Sequence, residues 1–137
     1  MAKDLIEKEL SEQIVQAGRD VYNMLGPGFV EDVYREAMII ALTQAGLTLE
    51  CKKPVDVLYR GEKVGKHVIE ILVNQKVILK TFAMLEFQQV YRQHALSELK
   101  AVGLELAIIL NFGAKEFQVG RVVNIKRKKQ FPEFNLF

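Results

Sequence analysis

Three segments of the sequence place apolar residues at intervals of three or four, the spacing that gives a helix one apolar face. The first helix is predicted over 11–25, with Ser11 as its N-cap, and Gly26-Pro27-Gly28 stops it. The second is predicted over about 30–45 and the third over about 85–102. The apolar faces consist of Ile14, Ala17, Val21 and Met24 in the first helix, Tyr34, Ala37, Met38, Ala41 and Leu42 in the second, and Phe87, Val90, Tyr91, Ala95 and Leu99 in the third.

Elsewhere the apolar period changes to two, which is typical of β-strands. The three-residue connection 74–76 makes the strands on either side of it antiparallel, whereas strands joined by a helix are normally parallel. Residues 106–110 are all apolar, which predicts a strand buried on both faces at the centre of the sheet. The predicted order of elements along the chain is helix, helix, several strands, helix, strand, strand. This order predicts an α/β fold, a mixed central β-sheet flanked by helices. The predicted strands are 47–51, 55–59, 64–73, 77–82, 106–110 and 117–125.

The chain length of 137 residues and a hydrophobic fraction of 50% suit one continuous core, so we expect a single domain over 1–137. The sequence contains no apolar run of about 18 residues, and its N-terminus, MAKDLIEKEL, carries charges where a signal peptide would need an apolar block. These observations predict a cytoplasmic protein without membrane contact. The single cysteine, Cys51, alternates in phase with Leu47 and Leu49 and is expected in the core.

The net charge of +2 is unevenly distributed. Residues 126–137 contain four basic side chains and one acidic one, so the other 125 residues carry 15 basic and 16 acidic side chains. A body with that balance is not a general phosphate-binding surface. DNA or RNA contacts are therefore expected at a local patch, and the four adjacent cations Lys126, Arg127, Lys128 and Lys129 are the candidate nucleic-acid-binding residues. The alternative is that this run is simply solvated.

The same 126–137 segment, a basic and aromatic C-terminal tail, ends in four large apolar residues, Phe131, Phe134, Leu136 and Phe137. Side chains of this kind are rarely left in water, so the segment is expected to pack back on the domain or to dock on a neighbouring subunit. The second outcome would make the protein a structural homo-oligomer.

One motif, Gly28-Phe29-Val30-Glu31-Asp32-Val33-Tyr34, matches the signature of the GxxExxY protein family, and Leu25-Gly26-Pro27 resembles its usual lead-in. Further blocks resemble the family in the same order: Gly103-Leu104, Leu110-Asn111-Phe112-Gly113 and Arg121-Val122-Val123-Asn124. The resemblance covers roughly residues 11–125. It implies a restriction-endonuclease-like, PD-(D/E)xK nuclease core, in which an acid on one strand and a Glu-x-Lys on the next hold a divalent ion.

The chemistry explains why those residue types are needed. Phosphodiester cleavage uses a hard cation such as Mg²⁺ or Mn²⁺, held by oxygen ligands, and a lysine that orients the attacking water. By the resemblance, the acid falls on Glu70, while Lys80-Thr81-Phe82 stands where Glu-x-Lys is expected. His94 replaces the family's glutamine on the following helix. The motif is therefore broken, and no cofactor is expected unless Mg²⁺ or Mn²⁺ still binds.

Strand geometry suggests a use for the altered residues. A three-residue connection over 74–76 puts Glu70 opposite Lys80, which predicts a cross-strand ion pair. Glu31 shares the face of Tyr34 and is expected to reach the same region. The Lys80 ammonium would then replace the positive charge of the metal. The remnant site positions are Glu31, Glu70, Lys80 and His94, and Glu31 with Glu70 would be the metal ligands if a metal still binds.

Each of these residues also has a purely structural interpretation. Glu31 suits the positive end of a helix dipole, and His94 beside Tyr91 resembles an ordinary hydrogen-bonded histidine. With His67 as the one other histidine, a histidine-rich metal site is excluded by count. A migrated site using Glu86 or Lys100 is a further alternative.

Three functions remain open at this stage. The first is a non-catalytic nuclease-like domain that binds nucleic acid or a protein partner. The second is an active Mg²⁺-dependent DNA or RNA nuclease with rearranged ligands, and the third is the structural homo-oligomer. Fold alone does not choose among them.

Overall fold

The computed structural model describes residues 6–125, which form three helices and five strands around one sheet. Within these residues, no helix is long and apolar enough to cross a membrane. The elements are α1 (Lys8–Leu25), α2 (Glu31–Gln44), β1 (Leu49–Tyr59), β2 (Glu62–Val73), β3 (Val77–Phe82), α3 (Val90–Val102), β4 (Leu106–Asn111) and β5 (Gln118–Val123).

The strands lie in the order β1-β2-β3-β4-β5. β3 and β4 are parallel and are joined by α3, whereas every other neighbouring pair is antiparallel. The predicted α/β fold with a mixed sheet flanked by helices is confirmed. The predicted burial of 106–110 is also confirmed, because every residue of β4 is buried. Its placement at the centre is wrong: β3 is the middle strand, and β4 lies between β3 and β5.

The two faces of the sheet carry separate apolar clusters. On the α1–α2 face, Ile71, Val73, Leu79 and Ile108 pack with residues of α1 and α2. On the α3 face, Ile69, Leu72, Ile78 and Ile109 pack with Ala95 and Leu99 of α3. Each fully buried side chain of this size contributes about 1.5–3 kcal/mol of transfer free energy. The burial of these strand side chains therefore holds α1 and α2 on one face of the sheet and α3 on the other.

Two of the predicted helix starts are wrong. α1 begins at Lys8, and Ser11 lies inside it as a buried residue whose hydroxyl donates to the Lys8 carbonyl oxygen, so Ser11 is not the cap. α3 begins at Val90, and the chain before it is not helical at Met84, where the Asn111 side chain hydrogen-bonds both the N–H and the carbonyl oxygen.

Two residues expected to be buried are exposed instead. Cys51 lies on β1, an edge strand in which no residue is fully buried, so its alternation with Leu49 does not carry it into the core. Met24 follows the apolar stripe of α1, but 85% of its surface is exposed, whereas the next residue, Leu25, packs against the core. Ile14, Ala17 and Val21 of the same stripe are buried as predicted.

Candidate functional site

Lys80 forms its ion pair with a residue of α3. Its ammonium Nζ lies 2.9 Å from Oε2 of Glu98, and only 16% of the Lys80 side chain and 4% of the Glu98 side chain are exposed. Glu98 belongs to the face of α3 that also carries Ala95 and Leu99, the i−3 and i+1 positions that pack on the sheet. A buried charge is costly unless it is paired, so each of these two side chains compensates the burial of the other.

His67 is the second partner of the same carboxylate. Its Nε2 lies 2.5 Å from Glu98 Oε2, and about half of the imidazole side chain is exposed. The other oxygen, Glu98 Oε1, is buried and has no hydrogen-bond partner within residues 6–125. Glu98 was missed from the sequence because helical carboxylates are usually solvated. Its position on the apolar face of the third helix was the signal that could have revealed it.

Phe82, the other changed motif position, is part of an aromatic cluster. Its ring centroid lies 4.9 Å from that of Tyr91 and 5.6 Å from that of Phe87. His94 joins the edge of this cluster through a T-shaped contact with Tyr91, at a centroid distance of 5.2 Å. Such contacts add about 0.5–1.5 kcal/mol per pair beyond area burial. The position expected to hold a lysine is thus packed against α3.

A second charged cluster lies on the opposite, α1–α2 face. The guanidinium of Arg35 in α2 contacts three carboxylates, Glu31 at 2.7 Å, Asp32 at 3.0 Å and Glu70 at 3.8 Å. The Thr81 hydroxyl of β3 donates to the second oxygen of Glu31. Burial lowers the pKa of Arg35, but the carboxylates of Glu31 and Asp32 outweigh it, so the pKa is raised above its ordinary value.

The predicted ion pair between Glu70 and Lys80 is wrong, although the predicted register is correct. Ile71 pairs with Leu79 and Val73 with Val77, which is the predicted register, but the β2–β3 ladder ends at Ile71 and does not include Glu70 and Lys80. Their side chains leave opposite faces of the sheet, since Glu70 contacts Arg35 on α2 and Lys80 contacts Glu98 on α3. Glu31 likewise does not reach Lys80.

An irregularity in β2 explains the divergence. Ile69 and Leu72 are three positions apart yet pack in the same α3-face cluster, whereas strict alternation would put them on opposite faces. The partner position on β1 is Lys52, which has a left-handed backbone with φ of 55° and interrupts the β1–β2 ladder. The alternation therefore changes phase at Glu70, although the pairing register is the same on both sides, with Cys51 opposite Ile71 and Lys53 opposite Ile69.

The residues present do not fit a divalent ion. Glu31 and Glu70 both contact the positively charged guanidinium of Arg35. Across residues 6–125, no three His, Cys, Asp or Glu side chains are grouped so as to hold a metal ion. Mg²⁺ and Mn²⁺ are bound through oxygen ligands, so an ion here would have to compete with this guanidinium for the same carboxylates. Arg35 itself was not anticipated from the sequence.

The motif around Gly28 has a structural explanation. Tyr34 is fully buried, and its hydroxyl donates to the Gly26 carbonyl oxygen at 2.6 Å and accepts from the Phe29 N–H at 3.1 Å. The ring stacks on Phe112 at a centroid distance of 4.7 Å. Tyr34 thus fastens the α1–α2 connection to the end of β4.

The Leu110-Asn111-Phe112-Gly113 block at the end of β4 also has a structural explanation. The buried Asn111 amide bridges β4 to Met84, and a Cβ on Gly113 would lie 2.4 Å from the Ala83 carbonyl carbon. Only glycine permits this approach of two backbones.

The remaining predicted residues are not brought together. Glu86 precedes α3 and Lys100 lies in its last turn, so most of that helix separates these two exposed residues. Lys126, Arg127, Lys128 and Lys129 lie outside the described residues.

The geometry is that of an α/β sheet with two charged clusters on opposite faces, and the sequence comparison agrees with this fold. A family model described as the PD-(D/E)XK nuclease superfamily matches residues 8–127, which is most of the chain. The chain therefore belongs to the PD-(D/E)XK nuclease superfamily. The comparison with curated proteins finds no match. The comparison with solved structures also finds none.

Proposed function

We propose that this protein is a non-catalytic member of the nuclease superfamily, which acts by binding rather than by cleavage. One observation carries the proposal. The two positions where the family motif expects a glutamate ligand and a lysine are occupied by Lys80, paired with buried Glu98, and by Phe82, packed against Phe87 and Tyr91.

The acid that remains supports the same conclusion. Glu70 contacts Arg35 on the face opposite to Lys80, so the three motif positions do not converge on one point in space. A divalent-metal site formed by an acid on one strand and a Glu-x-Lys on the next needs its oxygen ligands within coordination distance of a single ion. The chain offers instead a protein-borne guanidinium on one face and an ammonium on the other.

We further assign the chain to the GxxExxY family within the superfamily. The support is the motif from Gly28 to Tyr34, in which Tyr34 fixes the turn and Glu31 hydrogen-bonds Thr81 on β3. In this assignment Glu31, Glu70, Lys80 and His94 are remnants of the ancestral site. A structural ion-pair network has taken the place of metal chemistry.

Nucleic acid is the proposed partner, contacted through Lys126, Arg127, Lys128 and Lys129. Four adjacent cations form a patch with the charge needed to displace counterions from a phosphate backbone. The rest of the chain has nearly balanced charge, so binding of this kind would be modest and strongly dependent on salt. Binding to a protein partner is the alternative result.

The first experiment tests the loss of catalysis. Purified protein is incubated with single- and double-stranded DNA and RNA in Mg²⁺ or Mn²⁺, with the Glu70→Ala variant as the matched control. No specific scission above the control is expected, and Mn²⁺ titrated calorimetrically should give no site-specific heat. Divalent-dependent cleavage that disappears in Glu70→Ala would overturn the proposal in favour of an active nuclease with rearranged ligands.

The second experiment tests the partner. Affinity for labelled double-stranded DNA is measured as a function of salt concentration, with a variant in which all four cations of 126–129 are replaced by alanine. If all four contact phosphates, log K should fall with log salt at a slope of about −3.6, and the variant should lose that dependence. An unchanged slope in the variant would exclude this run as the contact.

A further inference from the structure

An apolar groove lies between α1 and α2, on the side of the helix pair away from the sheet. Its volume is about 570 Å³, and it has Ala17, Val21 and Ala41 among its lining residues. Two large apolar side chains at the groove are left in water, with Met24 exposed by 85% and Ile40 by 58%. The groove runs along α1 from Gln13 to Met24, about 16 Å at the helical rise of 1.5 Å per residue.

The chain leaves the sheet near the N-terminal end of the same helix. The Asn124 N–H donates to the Glu105 carbonyl oxygen, and Glu105 lines a small cavity together with Ile6 and Glu7. The Arg121 guanidinium of β5 ties this end of the sheet to α1 by donating to the Ile6 carbonyl oxygen at 2.9 Å. The last described residues of the chain thus lie beside the N-terminal end of α1.

Residues 126–137 consist of a basic part followed by an apolar part. The basic part, 126–129, follows residue 125 in the sequence, and the N-terminal end of α1 carries Glu9 and Glu12, with Glu7 at its N-cap. The apolar part contains Phe131, Phe134, Leu136 and Phe137, and it follows after one further residue.

The lengths also agree. Five extended residues, 126–130, span at most about 16–18 Å, and the first residue of the groove, Gln13, lies about 9 Å along α1 from Glu7. Seven extended residues, 131–137, span about 23 Å, which exceeds the 16 Å groove. The basic part can therefore reach the entrance, and the apolar part can fill the length.

We propose that residues 131–137 dock in the α1–α2 groove of their own chain and cover Met24 and Ile40. The occupant is placed in cis because a short tether gives an effective concentration in the millimolar range, far above that of a second copy in solution.

A tryptophan probe tests this docking, because the chain contains no tryptophan. In the full chain carrying Phe134→Trp, the emission should be shifted to the blue and protected from acrylamide quenching. Adding Ile40→Glu should shift the emission to the red and raise quenching several-fold. The matched control is Leu58→Glu, at a residue of similar exposure on the β1–β2 hairpin, which should leave the emission unchanged. Circular dichroism confirms that each variant is folded.

A second measurement needs no substitution in the groove. Truncation after Gln130 should move the Met24 methyl resonance, because an aromatic ring leaves its neighbourhood. Emission of a solvent-exposed tryptophan in the full chain, or an unmoved Met24 methyl on truncation, would overturn the proposal. Protection that appears only as protein concentration rises, with sedimentation as a dimer, would overturn docking in cis and assign the groove to a second copy.

Discussion

The Lys80 ammonium and the Glu98 carboxylate lie 2.9 Å apart on the α3 face, and both side chains are largely removed from solvent. The pair links the middle strand of the sheet to the helix that connects β3 with β4. Because the carboxylate also contacts His67 on β2, one buried acid ties together two strands and a helix. Removing the Glu98 carboxylate should therefore lower the free energy of unfolding, because it contacts two strands and belongs to the helix that joins β3 to β4.

Replacing Lys80 with methionine should destabilise the protein strongly. The change leaves Glu98 buried with only the half-exposed His67 beside it, and breaking a buried pair from one side costs about 3–5 kcal/mol, here reduced to about 2–4 kcal/mol by the remaining histidine. Urea denaturation measures the loss. The Lys63→Met control breaks the exposed pair with Asp56, and its effect should stay below about 1 kcal/mol.

The double variant Lys80→Met with Glu98→Leu separates charge from packing. Removing both charges should recover much of the stability lost in the single variant, since buried pairs are often replaceable by apolar residues of similar volume. A double variant that is as unstable as Lys80→Met alone would show that the buried charge is not the cause.

Arg35 is expected to be the second electrostatic anchor. Replacing it with leucine removes charge-assisted hydrogen bonds to Glu31 and Asp32 and should cost about 1.5–3 kcal/mol. Lys8→Leu is a matched control because it also breaks an i,i+4 pair, with Glu12, but one that is well exposed, so the cost should be about 0.5 kcal/mol or less. Equal losses in the two variants would contradict the assigned role of Arg35.

The contact between Gly113 and Ala83 predicts a steric effect of a single methyl group. Gly113→Ala should destabilise the protein by about 2 kcal/mol or more, because the new Cβ would meet backbone atoms that cannot move aside. Gly65→Ala, where a Cβ meets nothing within 4 Å, should change stability by less than about 1 kcal/mol. Thermal melts of the two variants would decide.

Cys51 provides a prediction of pH dependence. Partial desolvation of its sulfur, with Glu36 and Glu70 nearby, raises the pKa of the thiol above its ordinary value. A raised pKa leaves less thiolate at a given pH, so alkylation by iodoacetamide should be slower than in the urea-unfolded chain, with its midpoint at higher pH. Glu36→Gln should lower the pKa and speed the reaction. A folded protein that reacts at the unfolded rate at every pH would refute this.

The sequence was informative about the elements because their causes are local. β3 was predicted with its observed bounds, and the parallel pairing of β3 with β4 followed from the helix that joins them. The helix starts failed where tertiary contacts decide, as at Met84, whose backbone is bound by a side chain 27 residues away.

The candidate site was less predictable for a physical reason. Ile69, Ile71 and Val73 alternate as if they shared one face, yet the structure assigns Ile69 to one cluster and the other two to the opposite one. Nothing in the apolar pattern marks this change of phase. Glu98 was missed because its partners, Lys80 and His67, lie on strands distant in sequence. Arg35 was missed although two of its partners, Glu31 and Asp32, lie on its own helix.

The change of phase at Glu70 and Lys52 limits what protein engineering can achieve with this scaffold. Exchanging Lys80 for glutamate and Phe82 for lysine would place a Glu-x-Lys motif on the α3 side of the sheet. The remaining acid of the motif, Glu70, would still face α2 on the other side. Shifting β2 by one residue would not cure this, because a register slip would move every side chain of the strand to the other face, including the buried Ile71 and Val73.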